Sequence, residues 1–227
     1  MTTTRANRLL TLVALLLPAL AMAHGVAERD AGFIEQVRGV QVLPFLYLGA
    51  KHMVTGYDHL LFLAGVIFFL YRLRDVALYA SLFALGHSLT LMGAVLLGWK
   101  ANAHLVDALI GLSVVWKALD NLGGMRTLGL QLDSRLAVLG FGLVHGLGLA
   151  TKLQALNLSP DGLLGNMLAF NAGVELGQLT ALTFMVLLFT LWRSTTSFDR
   201  HARTANYLLM TAGFLLCGYQ LAGLWLA

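Results

Sequence analysis

Four histidines, His52, His59, His87 and His145, lie within long apolar stretches of this chain, in company with Asp58, Asp107, Asn171, Glu175 and Gln178. Imidazole and carboxylate donors without a thiol suit Ni²⁺, Co²⁺, Zn²⁺, Mn²⁺ or Fe²⁺, whereas Cu(I) favours Cys and Met. The one cysteine, Cys217, excludes an intramolecular disulfide and any Cys-based zinc or iron–sulfur site. Neutral imidazole is a ligand that survives in a low dielectric. A divalent cation would also offset the cost of burying Glu175 as an anion.

The spacing supports a shared site. At about 100° per residue, His52, Gly56 and His59 fall on one helical stripe, and Asn171, Glu175 and Gln178 on another. Asp58 points about 100° away from His59 and reads as a residue that orients a ligand or breaks the helix. The pair Gly142 and Gly146 encloses His145, and Gly173 and Gly177 enclose Glu175. Small residues at this spacing let helices approach closely, so the helices of His145 and Glu175 are expected to press together around the site. The metal ligands expected are His52, His59, His87, His145, Glu175 and Asp58. Behind them stand His24, Asp107, Asn171 and Gln178, the last two as interhelical hydrogen-bonders.

The elements that must position these residues follow from composition. Of 227 residues, 58% are hydrophobic and only 11% charged, with 3 Pro and a mean hydropathy of +0.77. Soluble domains carry about 25% charged residues, so the chain is too apolar to cover a water-facing surface. The fold class expected is all-α: a polytopic membrane bundle of six transmembrane helices left after signal-peptide removal. Residues 1–23 have a basic start (Arg5, Arg8), an apolar run and a small-x-small site at Ala21-Met22-Ala23, the pattern of a cleavable signal peptide. Cleavage would make His24 the new N-terminus, whose amine and imidazole can chelate a metal. Residues 24–50 read as an extracytoplasmic arm ending in a short apolar segment, and residues 51–227 as the membrane domain. Its spans are expected at His52–Tyr71, Val76–Trp99, Leu105–Leu119, Leu136–Thr151, Leu163–Trp192 and Tyr207–Ala227.

Charge sets the orientation. Arg72, Arg74, Arg126, Arg135, Arg193, Arg200 and Arg203 fall in alternate loops, against Lys100 and Lys152 in the others. The arginine side is cytoplasmic, and both mature termini then lie outside, in a bacterial inner membrane. On this topology the candidate ligands share one layer in the extracytoplasmic half. The net charge of +4, spread over membrane loops, is no nucleic-acid footprint; the partners expected are a divalent metal ion and the lipid bilayer. Blander roles fit the rest. Lys117 and Asp120 near the cytoplasmic end snorkel or pair with each other, His104 and His201 are solvated loop residues, and Ser88 points away from its neighbour His87.

The string HMVTGYDHLLF (His52–Phe62) resembles the first-helix signature of the HupE/UreJ family of nickel/cobalt permeases, His-Pro-x-x-Gly-x-Asp-His. His52, Gly56, Asp58 and His59 match, and Met53 replaces the Pro. LGHSLTL (Leu85–Leu91), FGLVHGLGLA (Phe141–Ala150) and FNAGVELGQL (Phe170–Leu179) look like further blocks of such a branch. The resemblance implies a six-helix transporter of Ni²⁺ or Co²⁺ in which His52, Asp58 and His59 serve metal uptake. The chain has no GxxxxGKS/T loop for ATP. Two rival readings use the same residues: an intramembrane hydrolase with a fixed Zn²⁺ and Glu175 or Asp58 as general base, and a bis-His haem protein using His87 and His145.

Overall fold

The computed structural model describes residues 28–226 except 131 and 157; the expected signal peptide and His24 lie outside the described residues. The described residues form helices α1 (Glu28–Gln36), α2 (Val42–Thr55), α3 (Tyr57–Ile67), α4 (Leu73–Leu97), α5 (Ala103–Asn121), α6 (Gly124–Thr127), α7 (Ser134–Gln154), α8 (Leu163–Arg193) and α9 (Thr196–Leu226), with no strand among them. Four helices, α4, α7, α8 and α9, are long and apolar enough to cross a membrane. Their outer faces carry Leu85, Leu89, Leu179, Phe184, Leu188 and Phe214, each more than half exposed. A soluble monomer does not present such a surface, and hydrocarbon is its natural solvent. The protein is a membrane-embedded helix bundle.

The first expected span departs from a single helix. The chain from Val42 to Ile67 forms two, α2 and α3, which meet at Gly56. Gly56 has ψ 94°, far from helical, and its N–H closes α2 on His52 O at 2.8 Å. A Cβ here would stand 2.9 Å from both His52 O and His59 Nδ1, so only glycine fits the joint. Asp58 restarts the helix: its Oδ1 accepts the His59 backbone N–H at 2.9 Å, and a carboxylate suits the positive end of a helix. Leu43–Ala50, the apolar segment expected at the end of the arm, lies within α2, which packs on α8.

Around the short α3 stand three close helix pairs, α2 with α8, α4 with α7, and α5 with α9. Each pair is seated by glycines against the partner's backbone. Gly173 lies on Leu46, Gly142 on Phe83, and Gly213 on Gly111 and Val115. The expectation that α7 and α8 press together is therefore corrected. Their two glycine pairs each face a different partner, α4 for Gly142 and Gly146, α2 for Gly173 and Gly177. The central α3 is buried on most of its circumference through Phe62, Leu63, Val66 and Ile67.

The last turn of α3 has orphan carbonyls that a low-dielectric interior cannot leave unpaired. Arg193, from the end of α8, donates to Ile67 O, Phe68 O and Leu70 O. Asn121 donates to Gly65 O at 2.9 Å and to Asn206 Oδ1 at 2.9 Å. Three helices thus hold the C-terminal end of α3, at the arginine-rich end of the bundle. At the other end, Asn166 clamps the segment leading into α2, accepting from Gln41 N at 2.6 Å and donating to Gly39 O at 3.0 Å.

Gly173→Ala should lower the thermal midpoint of the detergent-solubilised protein, by an overpacking cost of about 1–3 kcal/mol. Gly218→Ala, where a Cβ meets nothing within 4 Å, should leave it unchanged or raised, since alanine is the better helix former by about 1 kcal/mol.

Candidate metal centre

The joint at Gly56 brings four imidazoles together. His52 sits in the last turn of α2 and His59 in the first turn of α3, with ring centroids 5.1 Å apart. His87 from α4 lies 5.6 Å from the His59 ring, and His145 from α7 lies 5.0 Å from it. His59, His87 and His145 are fully buried, and His52 is partly so. Two overlapping sets of donors result, His52 with His59 and His87, and Asp58 with His59 and His145. Within each set one atom per residue lies within 4.8 Å of the others. Ligands 2.1 Å from one ion are at most about 4.2 Å apart, so a small closure of rotamers completes either set.

Hydrogen bonds decide which nitrogens carry lone pairs. Asp58 Oδ1 stands 2.9 Å from His59 Nδ1. An ionised carboxylate only accepts, so Nδ1 is the protonated nitrogen and Nε2 carries the lone pair. His59 Nε2 is buried without a hydrogen-bond partner among the described residues, as are both ring nitrogens of His87. Ser113 performs the same service for His145. Its hydroxyl donates to Ile110 O at 2.6 Å, so it accepts from His145 Nε2–H at 3.1 Å and leaves the lone pair on Nδ1. A carboxylate or hydroxyl behind a histidine is the usual means of orienting a metal ligand.

The family model described as "HupE / UreJ protein" matches residues 28–227. The chain belongs to the HupE/UreJ family. No curated protein and no solved structure matches it. In this HupE/UreJ protein the string His52–Phe62 is the joint between α2 and α3, so the signature residues Gly56, Asp58 and His59 build the break, the restart and the imidazole that both donor sets share.

The other expected site residues lie apart from the cluster. Glu175 is exposed, in an apolar groove between α4 and α8, and belongs to neither donor set. Gln178 donates to Ala80 O at 2.9 Å, an interhelical bond between α8 and α4. Asp107 is buried but salt-bridged to Lys152 at 3.0 Å, linking the ends of α5 and α7 opposite the arginine-rich end. Asn171 is one turn from Glu175 on α8, partly buried, with its Oδ1 unpartnered among the described residues. Lys117 pairs with Asp120 at 2.6 Å. His104 and His201 prove to be helical. His104 bonds Gln220 at 2.9 Å, and only His201 is exposed.

The roles of two residues escaped sequence reasoning. Ser113 gives no signal of its own in an apolar helix, and its role follows only from its position opposite His145. Arg193 reads as a loop charge, whereas it caps α3 and packs its guanidinium on Tyr71 at 4.8 Å.

Ser113→Ala should fold normally and bind divalent metal about 10–100-fold more weakly, the usual cost of losing such a support. Competition against a metal indicator in detergent checks it; unchanged affinity would separate Ser113 from the site.

Proposed function

We propose that this HupE/UreJ protein is an inner-membrane permease for a divalent transition metal, Ni²⁺ or Co²⁺. The observation that carries the reading is the gathering of four imidazoles and Asp58 at a broken helix inside a membrane bundle. Ionisable groups at membrane depth mark ion pathways, and discontinuous helices are where transporters build their ion sites. The donor set is nitrogen-rich with one carboxylate and no thiol, which fits Ni²⁺ and Co²⁺.

The bundle then has six crossings: α2 with α3 as one broken crossing, and α4, α5, α7, α8 and α9. The arginine-rich end faces the cytoplasm. His59 belongs to both donor sets, so it can hold an ion with His52 and His87 and pass it toward His145 without full release, while Asp58 keeps the His59 ring aimed. The membrane potential suffices as a driving force. Moving two charges through 100 mV is worth about 4.6 kcal/mol, roughly a thousandfold concentration ratio.

The rival readings lose support. A Zn²⁺ hydrolase needs a carboxylate base at the ion, yet Asp58 is committed to His59 and Glu175 is exposed in a groove. A bis-His haem needs a flat gap between His87 and His145, yet the His59 ring packs against both.

Proteoliposomes holding the protein should take up Ni²⁺ saturably under an inside-negative potential, and His59→Ala should abolish it. Absence of uptake of both Ni²⁺ and Co²⁺ by folded protein would overturn the permease reading.

A further inference from the structure

One helical turn below the histidines lies a second layer, made of aromatic rings. Phe62 follows His59 by three residues on α3, and Trp116 follows Ser113 by three on α5. Phe141 precedes His145 by four on the antiparallel α7. Each is displaced toward the arginine-rich end by roughly 4.5–6 Å. The rings form a continuous chain, with centroids 5.3 Å apart from His145 to Phe62, 5.7 Å from Phe62 to Phe141, and 5.3 Å from Phe141 to Trp116. Phe62 is completely buried.

Directly beyond the chain is a cavity of about 440 Å³ at the arginine-rich end, lined by Trp116, Asp120, Arg126 and Ser134 among others. Trp116 is thus the wall between the aromatic layer and the cavity. Its indole N–H is buried and has no hydrogen-bond partner among the described residues. Buried indole N–H groups normally find an acceptor, and this one would gain water if the ring turned into the cavity. The closed arrangement therefore carries a cost that opening relieves, as a two-position element requires.

We propose that Phe62, Phe141 and Trp116 are the inner gate of the metal pathway and that the 440 Å³ cavity is its exit vestibule; the assignment as a metal gate rests on the permease reading. Closed, three apolar rings deny water and a hydrated cation passage from the histidines. Rotation of Phe141 and Trp116 connects the two compartments. The vestibule does not recapture the ion, because its Asp120 carboxylate is already paired with Lys117 at 2.6 Å.

The test uses the full chain with Cys217→Ala, in membranes treated from the arginine side with a membrane-impermeant maleimide. Ser134→Cys, at the vestibule, should label readily, and Ser113→Cys, above the rings, should not. Adding Phe141→Ala should raise labelling of Ser113→Cys by about tenfold or more, as a state populated at a few per cent becomes the major one. Phe141→Tyr, which keeps the ring, should not. Trp116→Ala provides an independent opening should Phe141→Ala fail to fold. Labelling of Ser113→Cys with all three rings intact, or no increase in either folded variant, would overturn the gate. Ni²⁺ uptake by the unsubstituted protein is measured beside it. Uptake with no effect of the ring variants sinks the gate and leaves the permease, whereas ring-dependent labelling without uptake of Ni²⁺ or Co²⁺ sinks the metal pathway and leaves only a water barrier.

Discussion

A helix interrupted in the apolar interior of a bundle leaves backbone N–H and C=O groups that no water can satisfy, and the break at Gly56 imposes this problem on the helices around it. The solution is distributed. Asp58 serves the new N-terminus of α3, Arg193 and Asn121 take the carbonyls at its far end, and the Gly56 N–H returns to His52 O. Because those groups come from α5 and α8, the short helix is seated only when the surrounding pairs are assembled.

The break also explains why the donor groups gather there. A continuous helix would carry His52 and His59 two turns apart along its axis. With the chain redirected at Gly56, the two rings come within 5.1 Å, and α4 and α7 deliver His87 and His145 to the same point. The negative end of α2 and the carboxylate of Asp58 both favour a cation. Asp58 and Ser113 fix the rings of His59 and His145. Close glycine contacts between α4 and α7 hold His87 and His145 at matched depth: Gly146 rests on the backbone of His87 itself.

The layers stack in a sensible order along the bundle. Paired charges, Asp107 with Lys152, lie at the ends of α5 and α7 opposite the arginine-rich end. The imidazoles come next, then the three aromatic rings, then the vestibule with Lys117 and Asp120. Buried Asp107 is paired, and His59 Nε2 and both ring nitrogens of His87, which lack a hydrogen-bond partner among the described residues, lie in the imidazole layer.

Much of this was legible in the residues themselves. Composition alone dictated a membrane bundle, because so few charges cannot clothe a soluble surface. Helical spacing and the alternation of arginine loops placed His52, His59, His87 and His145 in one layer, and burial of ionisable groups in apolar segments has few other uses. What periodicity could not show was where side chains point once a helix stops. Asn171, Glu175 and Gln178 share a stripe, yet they divide among partial burial, an exposed groove and a hydrogen bond to α4, since packing on α2 claims the glycine face of α8. Which glycine pair meets which helix, the pairing of Asp107 with Lys152, and the duties of Ser113 and Arg193 were decided by tertiary structure. Each depends on a partner distant in sequence, and nothing local in an apolar helix records the identity of the neighbour it will meet.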